Sequence, residues 1–141
     1  MSSSAGQHAA PLVLGLGARR GLDAEHLHHR IDMVLDAIGI EPEAVHVLAT
    51  LQARAAEPGI QAVVLRRRWH LVSFPSARLA QVAVPTPSAT VRRASGTPSV
   101  AEAAALLAAA ELGQHGWCGV ELVIAKQTAV EVTIAVASSD P

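Results

Sequence analysis

The sequence predicts a three-layer α/β/α domain with a mixed sheet, built from parallel βα units and finished by a C-terminal antiparallel hairpin. Three observations lead there. In the first half, short apolar runs alternate with segments of helical period, the pattern of parallel βα units. Near the end, two β-branched runs at 120–126 and 130–137 are separated by three residues, which is hairpin spacing. Between them and the first half lies 96–113, rich in alanine and leucine and the strongest helix signal in the chain.

The first strand is Pro11-Leu-Val-Leu-Gly-Leu-Gly17, an apolar run closed by glycines. A helix over 24–38 follows, because Leu27, Ile31, Val34, Leu35 and Ile38 recur on one face; Asp23 is placed to cap it and Gly39 to end it. Pro42 starts a brief helical turn, and Val45 to Leu51 reads as a second strand. Glu57-Pro-Gly59 opens a second helix that runs over 60–68 to a cationic end, favourable for the helix dipole. His70 to Phe74 reads as a third strand, with a short helical piece from Ser76 to near Val82.

Val84-Pro-Thr-Pro-Ser88 has to leave helical geometry, since each proline restricts the residue before it, and is expected to be a rigid connector. A short helix over 89–95 is expected next. In the long helix that follows, Thr97 or Ser99 serves as N-cap, with Glu102 spaced from Ser99 for a capping box. The hairpin then closes the fold.

The chain has 141 residues, half of them hydrophobic and 16% charged, which suits one compact domain over 11–141 behind a small, polar leader at 1–10. A net charge of −1 argues against nucleic acid or an anionic membrane as partner. Cys118 is the one cysteine, so no internal disulfide and no metal-binding cysteine pair is expected. The N-terminus lacks the charged and apolar regions of a signal peptide, and no run is long enough to span a bilayer; the expected location is the cytoplasm.

Gly15-Leu-Gly-Ala-Arg-Arg-Gly21 follows a strand, but its spacing is G-x-G-x-x-x-G rather than the dinucleotide fingerprint, and no ribose-binding acid follows at a strand end. It reads better as a loop at the carboxyl end of a strand, where open α/β sheets bind ligands. There Gly17 allows close approach, and Arg19 and Arg20 offer bidentate grips for a carboxylate or phosphate. The alternative is that both arginines simply face solvent. The hydroxyl-rich starts at 86–88 and 96–99, with Ser88, Thr97 and Ser99, would present free backbone N–H groups to an anion, although capping alone explains those residue types.

His26, His28 and His29 lack a nearby carboxylate in a recognised metal pattern and read as residues of the polar side of a helix, so no metal site is expected. Arg66, Arg67 and Arg68 read as a solvated helix end. With no Tyr and one Phe, the stacking surfaces of single-strand nucleic-acid binders are nearly absent. No nucleophile motif occurs, and Cys118 shows no sign of activation.

Taken together, 14–21, the stretch Leu48-Ala-Thr-Leu-Gln-Ala-Arg-Ala-Ala-Glu-Pro-Gly59, and Gly96-Thr-Pro-Ser-Val-Ala-Glu-Ala-Ala-Ala-Leu106 resemble, in order and spacing, the CobE/CbiG C-terminal family of cobalamin biosynthesis. The resemblance covers about 11–137 and includes a Pro-Ser element like Pro87-Ser88 and a late lysine like Lys126; Arg54 stands where the family often carries lysine. It implies a role in assembling the corrin ring; the residues themselves, with neither a dinucleotide fingerprint nor a metal pattern, lead to the expectation of no cofactor. It also adds Arg54 and Glu57 to the candidate ligand-binding residues. Corrin precursors carry many acetate and propionate arms, so a cleft of arginines and helix N-termini is suited to bind or hand over such an intermediate. Two alternatives stand beside this expectation. One is a hydrolase or isomerase acting on a precorrin, with Glu57 and a histidine such as His46 as acid and base; the other is a scaffold for cobalamin-pathway enzymes.

Overall fold

The computed structural model describes residues 12–82, 100–112, 120–129 and 132–138. Their elements run, in chain order, β1 (Leu12–Ala18), α1 (Ala24–Ile38), a 3-10 turn (Pro42–Ala44), β2 (Val45–Leu51), α2 (Gln52–Ala55), α3 (Pro58–Arg67) and β3 (His70–Phe74). Then follow α4 (Ser76–Ala80), α5 (Val100–Leu112), β4 (Glu121–Ala129) and β5 (Val132–Ser138). The expected leader at 1–10, the proline connector, the short helix at 89–95, Ser88, Thr97, Ser99 and Cys118 lie outside the described residues.

The strands form one sheet in the order β3-β2-β1-β5-β4. β1 pairs with β2, and β2 with β3, in parallel; β5 is antiparallel to both β1 and β4. β1 to β4 therefore all point one way, and their carboxyl ends share one edge. The mixed α/β sheet expected from the sequence is what forms.

One face of the sheet is covered by α1 and α3. Leu14, Leu16, Leu48 and Ile134 point into it and meet Leu27, Ile31, Leu35, Ile60 and Val63. The local signals for α1 hold: Asp23 accepts a hydrogen bond from the His26 amide at 2.8 Å, and Gly39 ends the helix in the left-handed region at φ 79°.

The opposite face belongs to α5, all of whose residues from 101 to 110 are buried. Small side chains are why it packs so closely. In register across the sheet, Gly15 lies between Ala49 of β2 and Ala135 of β5, and α5 brings Ala101, Ala104, Ala105 and Ala108 to this face. A Cβ on Gly15 would stand 1.9 Å from the Ala101 carbonyl oxygen, so only glycine lets the helix reach the central strand at that point.

The hairpin differs from expectation at its turn. Residues 127–129, expected as loop, continue β4: Gln127 pairs with Ile134, Thr128 with Thr133, and Ala129 with Val132. The register shifts twice along β4, between Leu122 and Ile124 and again between Ile124 and Gln127, each time adding one residue to the β4 side. Two bulges therefore absorb the extra length, and bulges on an edge strand also discourage pairing with another chain.

A second difference lies between α1 and α3. His28, expected on the polar side, is buried with Leu27, Ile31 and Leu35, and Arg67, expected in solvent, has a side chain only 13% exposed. Arg67 Nε donates to His28 Nδ1 at 2.9 Å, its Nη2 reaches Asp32 at 2.7 Å, and its guanidinium lies 5.1 Å from the centre of the Trp69 ring. The arginine ties the two helices together instead of trailing off the end of one. Burial, followed by the charges of Arg67 and Arg66, holds the His28 pKa below its usual value, and its Nε2 has no hydrogen-bond partner among the described residues.

Candidate functional site

The carboxyl edge of the sheet gathers the residues singled out in the sequence. β1 leaves the sheet through Gly17 and Ala18 into the loop Arg19-Arg20-Gly21, whose two arginines are exposed. Gly21 sits at φ 86°, a conformation that L side chains rarely adopt, so the loop turns back toward α1 on a glycine.

The segment that follows β2 lies beside this loop. Arg54 is half-buried; its Nε donates to the Ala18 carbonyl at 3.1 Å, and its Nη groups have no partner among the described residues. Glu57, the residue preceding α3, accepts the Gly21 amide on Oε1 at 2.9 Å. Beneath them, the fully buried Thr50 donates its hydroxyl to the Leu16 carbonyl at 2.8 Å, tying the ends of β1 and β2 by a side chain as well as by the ladder.

The third contribution is α5. Its first residues lie over the end of β1: a Cβ on Gly17 would be 3.8 Å from Val100 Cβ and 3.9 Å from the Ala101 amide nitrogen. The N-termini of α1, α3 and α5 thus all face this edge, each carrying the positive end of a helix dipole. The acids close by are engaged within the fold, Asp23 as the cap of α1 and Glu57 on Gly21. The electrostatic character favours anions, and paired carboxylates above all, because arginine meets them in bidentate geometry.

A depression of about 390 Å³ opens here between Gly21, Leu22, Asp23, Glu57 and Gly59. Larger hollows lie elsewhere, one of about 480 Å³ at the carboxyl end of α1 and one of about 540 Å³ along α3 beside Trp69. The first is flanked by Asp32, Asp36 and Glu41, and the depression at the loop by Asp23 and Glu57, so neither size nor the lining of a hollow by itself marks the site.

Of the sequence candidates, Gly17, Arg19, Arg20, Arg54 and Glu57 come together at this edge. The suggested acid–base pair does not. His46 is exposed near the start of β2, and Glu57 follows its end, so roughly 15 Å of strand separates them at about 3.3 Å per residue. The tie made by Thr50 and the seat of Gly59 against the loop escaped the sequence reading: a threonine inside a strand and a glycine at a helix start give no local sign of their contacts.

Comparison with known proteins identifies the family and the fold. Residues 12–137 match the family model for the cobalamin synthesis G C-terminus. The chain is 34% identical over 113 residues to protein CobE of a Sinorhizobium species, covering 74% of this chain and 73% of that protein. It is 27% identical over 129 residues to a cobalt-precorrin-5A hydrolase of Priestia megaterium, 92% of this chain but only 33% of the hydrolase, so it spans about a third of that relative. Among solved structures, the crystal structure of CobE, a protein of the cobalamin biosynthetic pathway, superposes with a TM-score of 0.77 at 32% identity, covering 91% of this chain and 89% of that one. The match to the family model over nearly the whole sheet, joined by CobE in both sequence and fold, makes this chain a member of the CobE/CbiG C-terminal family of cobalamin biosynthesis proteins.

Proposed function

We propose that the chain acts in the cytoplasm as a binding or handover protein for a carboxylate-rich corrin-ring precursor, which it holds by its acetate and propionate arms at the carboxyl edge of the sheet. The observation that carries this reading is the convergence of Arg19, Arg20 and Arg54 with the N-termini of α1, α3 and α5. Gly17 lies under the first residues of α5, and Ser88, Thr97 and Ser99 belong to the chain that leads into that helix. A ring held by its arms stays accessible to a receiving enzyme of the same route.

A hydrolytic role draws on the relative named cobalt-precorrin-5A hydrolase, of which this chain matches a third. The edge offers it little, since Glu57 is engaged with Gly21 and His46 is distant. Absorbance titration of the purified chain with a late precorrin tests the binding reading. Saturable binding is expected, weakening with added salt because exposed charges are screened. The double variant Arg19→Ala with Arg20→Ala should bind about twofold to thirtyfold more weakly, as two exposed ion pairs at roughly 0.2–1 kcal/mol each imply. Absence of saturable binding, or unchanged affinity in the double variant, overturns the reading; turnover of the precorrin by the isolated chain favours the hydrolase instead.

A further inference from the structure

The loop that carries Arg19 and Arg20 is held at both flanks by the one short segment after β2. Arg54 Nε fixes the Ala18 carbonyl on one side, and Glu57 Oε1 fixes the Gly21 amide on the other. A third contact seats the start of α3 on the loop's last residues: a Cβ on Gly59 would fall 2.2 Å from the Leu22 carbonyl oxygen and 3.3 Å from the Asp23 carbonyl carbon. Glu57 is itself anchored, its amide donating to the Arg54 carbonyl at 3.0 Å and its carbonyl accepting the Gln61 amide at 3.0 Å.

A carboxylate is an odd group to find in an edge suited to anions, because its charge repels the ligand's own carboxylates. Its hydrogen bond is another matter. An ionised acceptor holds a backbone N–H more strongly than a neutral one, and Gly21, having no side chain, offers its amide as the place to hold this turn. In Glu57 the charge and the hydrogen bond therefore act in opposite directions, which makes the two effects separable.

We propose that Glu57 is a positioning residue that acts through the Gly21 amide: it fixes the loop so that Arg19 and Arg20 are set for a polycarboxylate, and it neither transfers a proton nor contacts the ligand. The inference rests on the reading of this edge as a polycarboxylate site. Ordering the loop before binding lowers the entropy lost when the two arginines engage.

Glu57→Gln keeps an oxygen acceptor and removes the charge, whereas Glu57→Ala removes both. The probe is uroporphyrin, a tetrapyrrole bearing acetate and propionate arms, titrated by absorbance into the whole chain. In parallel, exchange of the Gly21 amide is followed by NMR. Glu57→Gln is expected to bind the probe about twofold to fivefold more tightly than the wild type, as a nearby screened like charge implies. Glu57→Ala should bind about fivefold more weakly than Glu57→Gln and exchange Gly21 faster, in line with the loss of one charge-independent loop contact.

Weaker binding by Glu57→Gln than by the wild type, with Gly21 exchanging no faster than in the wild type, overturns the proposal, since the carboxylate would then act on the ligand and not through the loop. Equal affinity of the two variants also overturns it. A wild-type chain that does not bind the probe sinks the reading of the edge instead. The brace is then judged on Gly21 alone: faster exchange in Glu57→Ala than in Glu57→Gln supports it, and equal exchange overturns it.

Discussion

Gly15→Ala should destabilise the protein more than any other single methyl added to β1. Its new Cβ would lie 1.9 Å from the Ala101 carbonyl oxygen and 2.9 Å from Ala105 Cβ, against ordinary separations of about 3.3–4.0 Å. Neither side can yield cheaply. β1 is the middle strand, bonded to β2 and β5, and α5 is buried throughout 101–110. Moving a backbone by about 1 Å in a close-packed core costs roughly 1–3 kcal/mol and sometimes more. At about 3 °C per kcal/mol for a chain of this size, between the values for smaller and larger domains, the melting temperature should fall by about 3–9 °C. Thermal unfolding followed by circular dichroism measures this. Gly17→Ala on the same strand is the control, since its Cβ would meet Thr133 Cβ at 3.7 Å and Val100 Cβ at 3.8 Å, both ordinary contacts. If Gly15→Ala melted within about 1 °C of the wild type, or if the two variants fell equally, the close approach of α5 would be refuted as the reason for a glycine at 15.

Thr50→Val keeps the shape of a buried side chain and deletes its bond to the Leu16 carbonyl, so urea denaturation should show a loss of about 0.5–1.5 kcal/mol; an unchanged midpoint would show that the bond contributes nothing. His28 gives a pH signature. Its pKa in the fold is held below 6.5, chiefly by burial and then by Arg67 and Arg66, against the weaker opposing pull of Glu25 and Asp32. Below pH 6.5 the unfolded chain therefore takes up a proton that the folded chain refuses, so the stability His28 allows is complete above that pH and falls as pH drops toward the lower, folded pKa. Urea midpoints should decline from pH 7.5 to 5.5 by more in the wild type than in His28→Gln, and equal declines would remove His28 as the cause.

The elements legible in the sequence are those written in local chemistry. Asp23 and Gly39 bracket α1 because a cap and a left-handed terminator act within a few residues of the helix they bound. β2 and β3 stand out as short apolar runs between breakers. The order of the strands is another matter: β5 enters between β1 and β4 with Ala135 beside Gly15, a fact about several strands at once. The bulges of β4 escape for the same reason, since they show only against a partner. His28 is an instructive miss, because it stands three residues before Ile31 and seven before Leu35, on the apolar stripe itself. Its polar type outweighed its position, and the arginine that makes its burial tolerable comes from another helix.

At the candidate site, the sequence marked Arg19 and Arg20 through a general property of strand ends, but it marked Arg54 only through family resemblance, as a position where lysine is common. The geometry gives that difference a meaning. Arg54 spends Nε on the Ala18 carbonyl and still presents its Nη groups at the same edge, because a guanidinium distributes its donors around a rigid plane. An ammonium in the same place gathers its three donors on one atom, so it serves both only where the Ala18 carbonyl and the anion lie within hydrogen-bond reach of that single nitrogen. With arginine, bracing the loop and attracting a carboxylate cease to compete. A lysine-bearing relative would have to rely more heavily on its counterpart of Glu57 to hold the same turn, which makes the two ends of the brace interdependent rather than separate contacts.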